Sequence, residues 1–217
     1  LGLSVDHSTA EAKARIENTS IGWSYVDQKS YCKGLHDMVP LRDRVIKRTV
    51  INTVETLIGP LRGKTTHSIL GYVHKPYPPI YAHLVKSSGM DTALLVRGVE
   101  GGVVPSLRQK GLMISYQGTK EQDRVDIDPS SIGIDQDMRA ISFPGEMDVK
   151  SDIKDLAEYT VKLGRSALSG EQGMFYDGLV LSASLILWHT KKSDSLADAA
   201  KIVRSTLDSG KVLNRLK

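Results

Sequence analysis

Residues Thr92–Pro105 read TALLVRGVEGGVVP. Thr92–Val96 is a continuous apolar run of strand length, the mark of a strand covered on both faces. Gly98, Gly101 and Gly102 then form a tight turn around a single acid, Glu100. Open α/β sheets bind ligands beyond the carboxyl ends of their strands. This stretch therefore indicates the fold class and the place to look for a site.

Working outward, Ser68–Val73 is a second strand candidate. Pro76, Pro78 and Pro79 make a stiff turn, and Ile80–Ser88 reads as a helix closed by Gly89, a suitable residue just past a helix end. Gly111–Tyr116 and Arg124–Ile127 read as further strands, the latter alternating charged and apolar residues. From Lys150 the pattern is helical, over Ile153–Leu168, Tyr176–His189 and Ser195–Asp208. On the amino-terminal side, Ser8–Asn18 has the capping-box spacing of Ser8 and Glu11. Ile21–Val26 is a β-type run, and Leu35–Ile46 and Thr49–Leu57 are amphipathic helices, the last ended by Gly59-Pro60. The order predicts an α/β fold, a largely parallel sheet flanked by helices with a helical carboxyl-terminal tail. There is no repeat or low-complexity linker, so one domain over 1–217 is expected.

With 217 residues, 40% hydrophobic and 25% charged, the chain can bury a real core and falls outside disordered and collagen-like classes. Leu1–Val5 lacks the basic region and long apolar core of a signal peptide. The longest apolar stretch, Leu179–Trp188, is broken by Ser182 and Ser184 and is far short of the ~20 residues of a membrane span. Cys32 is the only cysteine, which leaves no intrachain disulfide and fits a reducing cytoplasm. A small half-buried side chain is its expected role. The net charge of +4 is mildly basic. It is also regional: Lys29, Lys33, Arg42, Arg44, Lys47, Arg48, Arg62 and Lys64 face only Asp37, Asp43 and Glu55 over the same span, whereas 121–155 is acid-rich.

Four stretches resemble the anthranilate phosphoribosyltransferase family (glycosyltransferase family 3). Arg48-Thr49-Val50-Ile51-Asn52, followed by Leu57-Ile58-Gly59-Pro60-Leu61, is similar to that family's R-T-x-x-N…L-G-P-L segment, with four extra residues between the halves. Gly71-Tyr72-Val73-His74, Tyr81–Gly89 and Ala93–Gly98 resemble its strand–helix–strand. Asp177–Ala183 resembles its late helix, and Thr206–Leu216 its last helix. The resemblance implies the family's α/β domain, a phosphoribosyl transfer from phosphoribosyl diphosphate with magnesium, and a carboxylate-binding role for Arg48.

Two parts of that pattern are missing. No G-T-G-G-D phosphate loop occurs, and by resemblance Leu1-Gly2-Leu3 corresponds to the segment after it. The loop and the helical domain through which the family dimerises are then expected outside this chain, and a homodimer is an expectation for the full-length protein. The family's G-L-D-E, whose two carboxylates bind magnesium, is replaced by a stretch in which Val103 and Val104 occupy the acidic positions. Magnesium needs hard oxygen ligands, and valine offers none. The pattern is nearest the YbiB-type non-biosynthetic branch, which binds nucleic acid.

The candidate anion- or substrate-binding residues are Arg48, Asn52, His74, Gly101 and Gly102; Asn52 is as well suited to helix packing or capping. Arg suits the role because its planar fork pairs bidentately with carboxylate or phosphate. His74, beside Lys75 at a strand end, is the best placed of the histidines, none of which shows metal-ligand spacing. The candidate nucleic-acid surface is Lys29, Lys33, Arg44, Lys47 and Arg48, with Tyr31 between two lysines for stacking. Two functions follow. One is a non-catalytic scaffold binding anions, DNA or RNA through this basic surface, with no cofactor and no catalytic residue assigned. The other is a working transferase on an unidentified acceptor, which alone requires magnesium and phosphoribosyl diphosphate.

Overall fold

The computed structural model describes residues 3–45, 49–140, 145 and 152–216. Two compact units divide the chain: Leu1–Thr66 with Arg215–Lys217, and His67–Asn214.

The first unit is built from short helices. In α1 (Thr9–Glu17), the Ser8 amide donates to Glu11 Oε2 at 2.6 Å and the Glu11 amide donates back to Ser8 Oγ, completing the expected capping box. α2 (Gln28–Tyr31) begins at Asp27, whose carboxylate accepts from the Lys29 amide. The single helix expected over 35–46 is broken into α3 (Lys33–His36) and α4 (Val39–Val45). Pro40 is the physical reason. It lacks an N–H, and its ring clashes with a helical carbonyl four residues earlier, so a helix is tolerated only when it starts just before the proline. α5 (Val50–Leu57) follows Thr49. Ile21–Val26 is a correction: no strand forms there. The Ile21 and Gly22 amides instead donate to the Asn18 carbonyl at 2.9 and 2.8 Å, the Ile21 carbonyl accepts from Arg215 Nη1 at 3.3 Å, and the Trp23 indole donates to the Arg215 carbonyl at 2.8 Å. Cys32 is a half-buried free thiol.

The second unit holds a four-stranded sheet in the order β1 (His67–Gly71), β2 (Thr92–Val96), β3 (Gly111–Gln117), β4 (Lys120–Ile127). The α/β class stands, but the sheet is not largely parallel. Only β1 and β2 run parallel, joined by the crossover helix α6 (Tyr77–Ser87), while β2–β3 and β3–β4 are antiparallel. The connections explain the difference. A parallel neighbour needs a crossover, normally a helix. Residues 97–110 contain no helix longer than a three-residue turn, and β3 and β4 are linked by Gly118 and Thr119 alone.

All of β2 is buried, as its apolar run requires. Its Leu94 and Val96 join Met113 and Ile127 in one core with Val180, Leu181 and Leu185 of α8 (Met174–His189) and Val203 and Leu207 of α9 (Leu196–Asp208). α7 (Ile153–Leu168) packs on α8. The Tyr176 hydroxyl donates to Asp208 Oδ1 at 2.7 Å, tying the start of α8 to the end of α9. Trp188 is packed partly against this core.

Candidate functional site

The loop leaving β2 is shaped by close backbone approach. A Cβ at Gly71, the last residue of β1, would overlap the carbonyl oxygens of Gly101 and Gly102; one at Gly98 would overlap the Gly102 carbonyl. Glycine at 71 and 98 therefore lets the loop fold down onto the carboxyl ends of the parallel pair. The turn itself uses left-handed backbone at Glu100 (φ 52°) and Gly101 (φ 82°), unusual for a residue with a side chain. The Gly101 amide donates to the Gly98 carbonyl (3.2 Å), the Gly102 amide to the Val99 carbonyl (2.9 Å), and the Val99 amide to the Val104 carbonyl (3.0 Å). The amides of both glycines, candidates for anion or substrate binding, are thus hydrogen-bonded inside the turn. Val103 and Val104 stand 43% and 38% exposed on the same loop. Beyond it, buried Ser106 accepts from the amides of Arg108 and Gln109 and pins the next turn.

As a magnesium site this loop does not fit. Glu100 is its one carboxylate, Val103 and Val104 carry no oxygen ligand, and the Gly101 and Gly102 carbonyls pack against Gly71 and Gly98. Among the described residues no group of three His, Cys, Asp or Glu side chains is placed to hold a metal ion.

The other expected site residues divide between the units. His74 is exposed in the second, its ring 5.7 Å from that of Tyr77. In the first, Asn52 Oδ1 accepts the Thr49 amide at 3.0 Å, the capping geometry that was one of its two readings. Lys29 and Arg44 are exposed, and Lys33 Nζ lies 2.8 Å from Asp37 in an exposed i,i+4 pair. Lys47 and Arg48 lie outside the described residues.

Two constellations had no signal in the sequence. Glu55 of α5 pairs with Arg42 of α4, both largely buried, and accepts from Gln28 Nε2 of α2 at 3.0 Å, so one carboxylate joins three helices. In the second unit, His189 is buried with Nε2 2.8 Å from Thr92 Oγ1 and Nδ1 3.0 Å from Ser115 Oγ. His67 Nδ1 lies 2.7 Å from the same Thr92 hydroxyl. Burial, then the neighbouring His67 and Lys191, push the His189 pKa down to about 4. These residues sit at 67, 92, 115 and 189, a spacing no local pattern registers. The network crosses β1 and β2 at their first residues, the end of the strands opposite the glycine loop.

The fold and site define an α/β domain whose parallel pair ends in a glycine-rich loop beneath two exposed valines. The same fold occurs in anthranilate phosphoribosyltransferase from Thermus thermophilus (TM-score 0.73, 18% identity, 99% of this chain and 59% of that one). It also occurs in the Saccharomyces cerevisiae enzyme in complex with PRPP and Mg (TM-score 0.74, 16% identity, 99% and 56%). A family described as the glycosyl transferase family, a/b domain, matches residues 1–213, and the chain belongs to it. Relatives include an uncharacterized protein of Aquifex aeolicus, 27% identical over 81% of this chain and 52% of its own length. Another is the anthranilate phosphoribosyltransferase of Methanocorpusculum labreanum, 24% identical over 100% and 59%. The chain thus spans little more than half the length of the relatives it matches.

Proposed function

We propose that this chain is a phosphoribosyltransferase-family scaffold that binds nucleic acid or related anions through a basic surface, without magnesium-dependent phosphoribosyl transfer. The observation that carries the reading is the loop after β2, where half-exposed Val103 and Val104 stand at the positions the resemblance assigns to two magnesium-binding acids. Without such a metal, charge developing on a diphosphate leaving group loses its main compensation. What the chain retains is cationic surface. Lys29 and Arg44 are exposed, and the Lys33–Asp37 pair is solvated. An exposed pair of this kind holds its lysine weakly, so a phosphate displaces the carboxylate at small cost. The reading takes the cytoplasm as the compartment, and a homodimer in the full-length protein.

The test is fluorescence anisotropy with labelled DNA and RNA over a salt series. Binding should weaken linearly in log–log form with salt as counterions are released. Absence of binding at low salt overturns the proposal. The similarity to a yeast enzyme in complex with PRPP and Mg favours the alternative, an active transferase on an unidentified acceptor. Calorimetric titration of phosphoribosyl diphosphate with and without magnesium separates the two, magnesium-dependent heat supporting the enzyme.

A further inference from the structure

The helix between β1 and β2 carries a feature this reading does not use. Tyr77 and Tyr81 stand one turn apart on α6, with ring centroids 5.8 Å apart and planes 37° from parallel. On the other side of Tyr77 lies the His74 ring, 5.7 Å away at 35°. Residues at i and i+4 share a helix face, so the three rings form a ladder. It reaches the surface at one end: His74 is exposed and Tyr77 is 41% exposed, while Tyr81 is half-buried. His74 and Tyr77, left this open to water, contribute little to holding α6, whose buried contacts come from Pro78, Ala82 and Val85.

The surroundings select among ligands. From His67 to Met90 there is no Asp or Glu, while Lys75, beside His74, and Lys86 are exposed. The segment's own charges are therefore all positive. Pro78 and Pro79 remove two amide donors from the first turn of α6, so this helix end presents rings rather than N–H groups. Aromatic faces beside cations suit a strand whose bases are free to stack, because every base has a π-face and a neighbouring phosphate. A duplex keeps its bases paired and stacked on each other.

We propose that the His74–Tyr77–Tyr81 ladder stacks the bases of single-stranded nucleic acid, with Lys75 meeting the adjoining phosphate. This rests on the proposed nucleic-acid function and adds to it the strandedness of the partner and a base contact in the second unit.

The experiment compares a labelled oligothymidylate with a duplex by anisotropy, and maps photo-crosslinks from a 5-iodouracil oligonucleotide on the unaltered chain. Replacing both Tyr77→Ala and Tyr81→Ala should weaken single-strand binding roughly fivefold or more. Tyr77→Phe should keep it, duplex binding should not change, and crosslinks should fall on Tyr77 or Tyr81. The ladder is overturned if the folded double variant binds the single strand as tightly as the unaltered chain, if duplex binding falls equally, or if crosslinks lie only elsewhere. A Lys29→Ala, Lys33→Ala, Arg44→Ala variant separates the two ideas. Loss there with the tyrosine pair silent removes the ladder alone; an unaltered chain that binds neither strand form removes both.

Discussion

His189 is held neutral by its surroundings. Its ring sits between two hydroxyls, with its pKa pushed from an ordinary 6.5 to about 4. In the unfolded chain the same imidazole protonates near its ordinary value, so between about 6.5 and 4 the unfolded state binds the extra proton. Stability should therefore be fully present above the upper limit and fall as pH drops through that window. Urea midpoints measured from pH 7 to pH 4 should show the slope, and His189→Gln should flatten it; an unchanged slope would mean other groups carry it. Val103 and Val104 pose a second question for single side chains. Replacing them together, Val103→Asp with Val104→Glu, should create magnesium binding detectable by calorimetry where the unaltered chain gives no heat. A silent double variant would show that these residues do not occupy the metal-binding positions of the family.

At the level of elements, α5 offers a direct test of a residue with two readings. Asn52 accepts the Thr49 amide, so Asn52→Ala should cost about 1 kcal/mol of stability, read from chemical denaturation, and leave nucleic-acid affinity unchanged. A loss of affinity with no loss of stability would return Asn52 to the binding surface. The same element shows what the sequence made legible. Capping signals and long apolar periods are local, so α1, α5, β2 and α7 were found close to their observed limits. Strand sense is not local. Nothing in Gly111–Gln117 says which way it runs beside β2, and the answer lies in a connection that holds no crossover helix. The glycine loop was legible as a turn after a buried strand. That its amides close on one another depends on the left-handed Glu100, which no composition rule anticipates. The Glu55 hub and the His189 network escaped for the same reason, since both join residues far apart in the chain.

Across the whole molecule, apolar burial is unequal. The core around β2 and α8 draws every member from Ile69–Val212, all inside the second unit. In the first unit the buried apolar side chains among the described residues are Ala12 and Leu57. Buried apolar area is the main favourable term in folding, and a chain of that length with so little of it falls below what independent stability requires. A fragment of residues 67–214 should therefore fold alone, keeping helical and strand circular dichroism and unfolding cooperatively in urea. A fragment of residues 1–66 should lack a cooperative transition. Cooperative unfolding of the shorter fragment would show that polar hubs such as Arg42–Glu55–Gln28 stabilise it far more than solvated pairs do. Failure of the longer one would place part of its stability in residues before His67, and so count against the division of the chain at that point.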